Sequence, residues 1–470
     1  MVFSSLVFLY LFLPIALAGY FCIPKIARNA WLLAASTLFY AWGEGWYTLA
    51  MVFTIIFNWG AGLLLNRIQT PRQRRYIMAL AVSVNIGLLV AYKYANFLVT
   101  TLAGLAHHLH LPEPHLDPVH LPIGISFFSF QAISYVIDVY RNDVKPTHSL
   151  LHYATYKSFF PQLIAGPIVR YRDVADQMHV RTVNVSLFAR GIERFAIGLA
   201  KKTLIANLAA TAADQAFTMP PGTLDCCTAW WGLLSYSMQI YFDFSGYSDM
   251  AIGMGLMFGF RFKENFDLPY TATSIRDFWR RWHISLSSWF RDYLYIPLGG
   301  SRGNPVRVCL NLFVVFLLCG LWHGASWNFI LWGALHGLFI AGEHAGSAKL
   351  LERLPRIIRH IYVLLTVAFG WVLFRADDVS SSTLYFQSLL GFGGPVSSPT
   401  HPDWDVVCAI ALGIFFCSGA TALLFQSCAT IYRLQIVLAF LRPTVPILLL
   451  IAATIMILCH GHNPFIYFRF

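Results

Sequence analysis

Two histidines stand in stretches that are otherwise apolar enough to lie inside a membrane. The segment GLWHGASWNFILWGALHG (320–337) contains His323 and His336, each followed by a glycine that leaves room beside the ring. An ionisable side chain is costly in hydrocarbon and is therefore a candidate functional residue. Histidine can accept a proton from a hydroxyl group near neutral pH, which is what acyl transfer requires. The alternative is that each ring only packs and hydrogen-bonds against neighbouring helices.

The stretch RDFWRRWHISLSSWFRDYLYIPLGGSRGNPVR (276–307) mixes arginines with aromatic residues. The spacing of Arg280, His283 and Ser287 is helical, which predicts an amphipathic helix at the membrane interface. In one interpretation the helix is an anchor, with tryptophans at headgroup depth and arginines on lipid phosphates. In the other, the arginines also hold a phosphate-bearing donor such as coenzyme A. The residues predicted to bind this donor are Arg276, Arg280, Arg281 and Arg291.

Further polar side chains recur inside apolar segments. The segment QIYFDFSGYSD (239–249) places Asp243 and Asp249 six residues apart, off a common helical face unless the helix breaks between them. The segment FFPQLIAGPIVR (159–170) has two prolines and indicates a kinked or re-entrant element. We interpret both as structural rather than catalytic. The chain has no Walker or HExxH motif, and the histidines of 107–120 match no standard metal site, so we predict no metal.

The composition indicates the elements that must hold these residues. Of the 470 residues, 57% are hydrophobic and 12% are charged, whereas an ordinary soluble chain has roughly 25% charged residues. Because a soluble protein of this size needs a polar surface, the chain is predicted to be an integral membrane protein. The net charge of +11 comes from basic residues in short segments between apolar runs. Such residues set membrane topology, so we do not expect nucleic-acid binding.

The apolar runs predict about ten or eleven membrane-spanning helices, because each crossing needs roughly 20 residues. Re-entrant or interfacial pieces account for the shorter runs. Four segments without lysine or arginine are predicted to face outside by the positive-inside rule, which places the N-terminus outside too. These segments are 43–46, 105–120, 216–228 and 376–404. We predict one integral membrane domain over 1–470, with its catalytic core at about 120–346.

Several sequence blocks together resemble the membrane-bound O-acyltransferase (MBOAT) family over essentially the whole chain. The chain is most similar to the branch that acetylates exported polysaccharides such as alginate, and more distantly to teichoic acid D-alanylation proteins. The blocks are FWRRWHISLSSWFRDYLYIPLGG (278–300), GLWHGASWNFILWGALHG (320–337), FFPQLIAGPI (159–168), YFDFSGYSDMAIG (241–253), the opening MVFSSLVFLYLFLP and the closing NPFIYFRF.

The resemblance implies an all-α polytopic fold, a ring of tilted helices around a central tunnel. It implies that His323 matches the family's essential histidine and that His283 matches its upstream partner, with His336 as a third candidate. Acetyl-coenzyme A, as substrate rather than bound cofactor, would dock at the four arginines from the cytoplasm. His323 would act as general base for a hydroxyl group, and His283 would orient or polarise the thioester.

The expected location is the bacterial inner membrane, with the N-terminus periplasmic. The expected partners are membrane lipids, acyl-coenzyme A, and a periplasmic SGNH-type acetyltransferase or a polysaccharide-synthesis complex that receives the acetyl group. The alternatives are a D-alanyl or lipid O-acyltransferase of the same fold and, from another class, a transporter with a histidine proton relay. A silent assembly scaffold is disfavoured by the histidines. The sequence leaves open the acceptor polymer, the acyl chain and the oligomeric state.

Overall fold

A computed structural model of the chain describes residues 2–220, 222–395, 403–420 and 432–459, with backbone alone over 432–442. Every regular element in these ranges is helical, which confirms the predicted all-α class. The closing block NPFIYFRF (463–470) and part of the predicted outer segment 376–404 lie outside the described residues.

Four helical stretches in the described ranges are long and apolar enough to cross a membrane. They are Lys25–Arg67, Pro71–His108, Pro305–His323 and Arg356–Arg375. The first two are 43 and 38 residues long, which is room for two crossings each at about 20 residues per crossing. Shorter apolar helices occur at Phe8–Cys22, Trp404–Cys417 and Pro443–Cys459. The chain is thus a polytopic membrane protein, as its composition predicts.

The chain divides into two compact units, of which the first comprises residues 1–191 and 254–263. Its helices are α1 (Leu13–Cys22), α2 (Arg28–Glu44), α3 (Thr48–Arg67), α4 (Pro71–Leu89), α5 (Ala95–His108), α6 (Ile125–Arg141), α7 (Leu150–Ser158), α8 (Phe160–Leu163) and α9 (Tyr171–His179). Within it, the buried amides of Asn58 and Asn85 donate to each other across α3 and α4, at 3.2 and 2.8 Å.

The proline-containing segment 159–170 belongs to this first unit. Only its single turn α8 is helical, and residues 164–170 are irregular and buried. The prediction of a kinked element is confirmed, because proline cannot donate to a continuing helix. Buried irregular backbone of this kind is tolerated in a membrane protein only where other protein covers it.

The second unit comprises residues 192–253 and 264–470 and contains the candidate site residues. Its helices begin with α10 (Val185–Ala200), α11 (Asn207–Phe217) and α12 (Cys226–Met257), and the unit boundaries fall inside α10 and α12. They continue with α13 (Ile275–Arg281), α14 (Ile284–Phe290), α15 (Pro305–His323), α16 (Trp327–Gly342), α17 (Ala348–Glu352), α18 (Arg356–Arg375), α19 (Val379–Leu389), α20 (Trp404–Cys417) and α21 (Tyr432–Cys459). A π-helical stretch, Lys201–Ala206, joins α10 to α11.

Close packing of α15 on α16 positions two of the predicted histidines. A Cβ atom at Gly320 would lie 2.2 Å from the carbonyl oxygen of Phe329, and one at Gly333 would lie 2.5 Å from that of Phe316. Only glycine allows the two backbones to approach this closely. The hairpin therefore fixes His323 at the last residue of α15 and His336 in the middle of α16.

The predicted single interfacial helix over the RRWHISLS block is wrong. Helix α13 ends at Arg281 and α14 begins at Ile284, and between them His283 has left-handed backbone angles of φ 44° and ψ 54°. The break is stabilised from outside, because the backbone carbonyl of Asn265 accepts from the Ile284 N–H at 2.9 Å.

The tryptophans of this block are not membrane anchors either. Trp279, Trp282 and Trp289 are only 6%, 3% and 6% exposed. Their rings pack against other aromatic side chains of the second unit, for example Trp282 against Trp371 with centroids 4.9 Å apart. The helical spacing that suggested one amphipathic surface helix therefore belongs to two short helices whose tryptophans are buried in the protein.

Candidate active site

The three histidines predicted from the sequence lie in one aromatic cluster of the second unit. The ring of His283 lies 6.1 Å from that of Trp322, which in turn lies 4.9 Å from His323. Trp332 continues the series, with its centroid 5.1 Å from His323 and 4.9 Å from His336. Residues that are far apart in the sequence are thus joined by two shared tryptophans.

The cluster is shielded from solvent. The exposed fractions of His283, His323 and His336 are 1%, 5% and 0%. Phe244 lies edge-on to His283 at 4.5 Å, and Phe374 to His323 at 5.1 Å. In such apolar surroundings a hydrogen bond or charge interaction acts more strongly than in water, which is the environment a proton-transfer site requires.

Asn265 determines which nitrogen of His283 carries the proton. The backbone N–H of Ser285 donates to Asn265 Oδ1 at 3.1 Å, so this atom must be the amide oxygen. The same oxygen lies 3.1 Å from His283 Nδ1. Because an amide oxygen only accepts, Nδ1 is the donor in the neutral ring. On the other side, Asn265 Nδ2 donates to Ser248 Oγ at 3.0 Å, which fixes the orientation of the amide.

The remaining nitrogen of His283, Nε2, is a buried proton acceptor. It has no hydrogen-bond partner among the described residues. Burial also lowers the pKa of His283 to about 3, so the ring is neutral at physiological pH. A neutral ring with its proton on Nδ1 cannot donate from Nε2. Of the two roles predicted for His283, orienting a substrate fits this geometry and polarising a thioester carbonyl does not.

His336 has a different setting. Neither of its ring nitrogens has a hydrogen-bond partner within the described chain. The ring lies against Trp279 with centroids 5.1 Å apart. A Cβ atom at Gly370 of α18 would lie 2.7 Å from Nε2, so the glycine leaves the space that the imidazole occupies. The imidazole of His336 is therefore packed between Trp279 and the backbone of α18 at Gly370.

Two of the four predicted donor-binding arginines are already engaged. Arg281 forms ion pairs with Asp277 at 3.0 Å and with Asp267 at 3.5 Å. Arg291 lies 2.7 Å from the carboxylate of Asp292. A guanidinium group that is held by carboxylates of the same chain has less capacity for a phosphate.

The other two arginines are more available. Arg280 is exposed and has no hydrogen bond or ion pair within the described part of the chain. Arg276 is exposed and its Nη2 lies 3.5 Å from Nδ1 of His344. The sequence alone did not indicate the residue that positions the start of α13. The buried carboxylate of Glu343 accepts from the backbone N–H groups of Ile275 and Arg276 at 2.7 and 3.0 Å and so fixes the first turn of the helix that carries both arginines.

The two aspartates of α12 are engaged in ion pairs. The helix is continuous from Cys226 to Met257. Asp243 forms an ion pair with Lys202 at 2.7 Å, and both side chains are 2% exposed. Asp249 pairs with Lys201 and with Arg194, each at 2.7 Å. No break in α12 is needed, because the two carboxylates meet different residues of the neighbouring helix.

Comparison with known proteins gives one family and several relatives. The model of the membrane-bound O-acyltransferase (MBOAT) family matches residues 35–348. A protein of Pseudomonas aeruginosa named "Probable alginate O-acetylase AlgI" is 46% identical, over 84% of this chain and 75% of that protein. The protein of the same name from Azotobacter vinelandii is 40% identical over the full length of both chains.

A more distant relative also aligns end to end. The peptidoglycan O-acetyltransferase of Helicobacter pylori is 34% identical over 100% of this chain and 98% of its own length. Teichoic acid D-alanyltransferases match over about half of the chain. The resemblance read from the sequence blocks, and the order of its branches, are confirmed.

Proposed function

We propose that this chain, which belongs to the membrane-bound O-acyltransferase family, moves acetyl groups from cytoplasmic acetyl-coenzyme A to a hydroxyl acceptor that serves an exported polysaccharide such as alginate. The enzyme class, an O-acyltransferase in a membrane, follows from the family. The acetyl group and the polysaccharide are supported by the names of the relatives that match most of the chain. The donor, the direction of transfer and the partner are our proposals.

The observation that carries the mechanism is the buried proton acceptor beside a second histidine. His283 Nε2 is unprotonated and without a partner among the described residues, and its ring shares Trp322 with the ring of His323. Such an acceptor can receive a hydrogen bond from a hydroxyl or amide N–H group of a substrate. The apolar side chains around it keep water away from a reactive thioester.

In the proposed reaction His323 is the general base. It removes the proton of the acceptor hydroxyl while the oxygen attacks the thioester carbonyl carbon, so that a C–O bond forms and the C–S bond breaks. The thiolate of coenzyme A leaves, and the proton passes from His323 to that sulfur. His283 accepts a hydrogen bond from the donor or the acceptor through Nε2 and so holds it in line.

The arginines at the start of α13 are the proposed contact for the donor's phosphates. Arg280 and Arg276 are the stronger candidates because they are exposed and are not held by carboxylates. Arg281 and Arg291, which are paired within the chain, are assigned a supporting role. The positive charge of all four attracts the anionic donor to this end of the second unit.

We place the chain in the bacterial cytoplasmic membrane with its N-terminus in the periplasm. The lysine- and arginine-free segments 43–46, 105–120 and 216–228 support this orientation. These segments are short and offer little surface for a long polymer. The direct acceptor is therefore proposed to be a hydroxyl group of a periplasmic SGNH-type transferase, which passes the acetyl group to the polysaccharide.

The test uses purified protein in nanodiscs with radiolabelled acetyl-coenzyme A and the partner transferase. Transfer that requires both His323 and the partner supports the proposal. Turnover only with a D-alanyl thioester on a carrier protein would move the chain to the D-alanylation branch. Absence of turnover with any thioester would favour the transporter alternative.

A second acceptor is favoured by one observation, the end-to-end match to a peptidoglycan O-acetyltransferase. The same assay distinguishes the two when alginate oligomers and peptidoglycan fragments are supplied separately. We expect label in the alginate oligomers, in line with the higher identity of the alginate acetylases.

A further inference from the structure

A cavity of the second unit lies apart from the histidines. Its volume is about 750 Å³ and its walls come from α12, α18 and α20. Most lining side chains are apolar, among them Leu234, Leu364 and Ile414. None of the three histidines lines it, and Trp371 forms part of the wall on the side where that ring packs against Trp282.

The cavity follows α18 from its first turn to its fifth. Residues from Arg356 to Trp371 contribute to the lining, which corresponds to about 22 Å at 1.5 Å per helical residue. Such a length suits an extended hydrocarbon chain. The cavity is also open to the outside of the protein, because its lining residues Leu234, Leu365 and Ile414 are 36%, 41% and 46% exposed. Exposed apolar side chains on membrane helices face lipid tails.

Charge is concentrated at one end of this cavity. Arg356 and His360 both line it at the start of α18, and the rest of that helix's contribution is apolar. Arg356 has no hydrogen bond or ion pair within the described chain, and His360 Nδ1 donates to the carbonyl of Ala272 at 3.1 Å. The first turn of α18 has no side-chain cap and adds the positive end of the helix dipole.

The segment that spans the start of α18 is basic as well. Lys349, Arg353, Arg356 and Arg359 fall within eleven residues, against one acidic residue, Glu352. Basic residues next to a membrane helix attract anionic lipids. The cavity is apolar along most of its length, open to lipid tails, and basic at one end. This arrangement is complementary to an anionic amphiphile.

We propose that this cavity binds one anionic glycerophospholipid, with its phosphate at Arg356 and His360 and an acyl chain along α18. The bound lipid would lie along α18 and contact Trp371, which packs against Trp282 of the aromatic cluster. The site is distinct from the proposed catalytic one and does not depend on the acyl-transfer assignment.

The test measures lipid retention by native mass spectrometry. Detergent-purified protein is stripped of lipid and incubated with dioleoylphosphatidylglycerol, dioleoylphosphatidylcholine or coenzyme A. We expect the wild type to retain one phosphatidylglycerol and at least fivefold less phosphatidylcholine. Arg356→Glu should reduce phosphatidylglycerol retention at least fivefold. The matched control is Arg353→Glu, an exposed arginine three residues earlier that does not line the cavity, and it should retain the lipid.

A second variant, Ala368→Phe, tests the apolar part, since it fills the channel without changing charge. It should also lose the lipid. Equal retention by wild type and Arg356→Glu would overturn the proposal, as would equal retention of the two lipids. Binding of coenzyme A that Arg356→Glu abolishes, without lipid retention, would identify the cavity as a donor site instead.

Discussion

Two clusters of buried polar residues in the second unit look alike in the sequence and differ in the structure. One is the ionic cluster of Lys202, Asp243, Lys201 and Asp249, in which every group named has an oppositely charged partner at 2.7 Å. The other is the histidine cluster, in which His283 and His336 have ring nitrogens without partners among the described residues. Both consist of polar groups in predominantly apolar surroundings.

The difference separates stability from function. The cost of burying a charge is offset by its attraction to an oppositely charged partner. Removing that partner leaves an uncompensated charge and destabilises the fold. A buried nitrogen without a protein partner does not stabilise the fold, because no hydrogen bond offsets the cost of removing it from water, and it remains available to a substrate. Substitutions in the ionic cluster should therefore mainly lower the stability of the fold. Substitutions in the histidine cluster should mainly lower catalytic activity.

The largest expected effect is on catalysis. His323→Ala should lower acetyl transfer about 100- to 10,000-fold, the usual contribution of a general base. Its unfolding temperature in detergent should stay close to that of the wild type. His148→Ala, which changes an exposed histidine of the first unit, is the control and should keep full activity. Near-normal transfer by the His323 variant would remove it from the mechanism.

The opposite result is expected for the ionic cluster. Lys202→Ala leaves Asp243 buried without its cation, which costs about 3–5 kcal/mol of folding stability. The unfolding temperature and the yield of folded protein should fall. Lys201→Ala is the matched control and should have a smaller effect, because Asp249 keeps Arg194.

A double substitution tests whether the ion pair has only a structural role or also takes part in the reaction. Lys202→Met combined with Asp243→Leu removes both charges, and the unfolding temperature should recover while acetyl transfer continues. A stable double variant without activity would show that the pair takes part in the reaction, and the comparison between the two clusters would then fail.

Asn265 provides a finer test within the histidine cluster. Asn265→Ala removes the acceptor of His283 Nδ1–H but keeps the backbone carbonyl that accepts from Ile284. We expect transfer to fall roughly 10- to 100-fold, as for other partners that orient a reactive histidine. Ser248→Ala should have less effect, because Asn265 Oδ1 keeps its contacts with Ser285 and His283. An activity loss that merely follows a loss of stability would contradict the orienting role.

The sequence indicated which histidines belong to this site, but it did not indicate how they are arranged. His323 and His336 were noticed because histidine in an apolar segment is rare, whereas His283, in an arginine-rich stretch, was indicated by the resemblance to the family. Asn265 and Glu343 were missed, since an isolated polar residue outside a motif has no signal until the fold places it beside its partner. The break at His283 was also missed: helical spacing continues through the block, and the carbonyl of Asn265 that ends the helix comes from a distant loop.

The pH dependence of transfer tests the protonation state of His283. Because the pKa of His283 is lowered to about 3 by burial, the wild type should show no loss of activity from this residue between about pH 5 and 8. Asn265→Asp places a carboxylate beside the ring, which favours the protonated form and raises that pKa. The variant should lose kcat/KM as the pH falls, at a higher pH than the wild type. Superimposable profiles would indicate that Nε2 need not be unprotonated.

The smallest expected effect concerns the arginines, where the same contrast between free and paired groups recurs. Arg280 is exposed and unpaired within the described chain, so Arg280→Ala should raise the KM for acetyl-coenzyme A about 1.5- to 5-fold, the value of an exposed charge contact. Arg281 is held by Asp277 and Asp267, so Arg281→Ala should leave KM unchanged and lower the unfolding temperature slightly. If both variants raised the KM equally, pairing within the chain would not prevent an arginine from contacting the donor. The distinction between paired and unpaired groups would then apply only to buried residues.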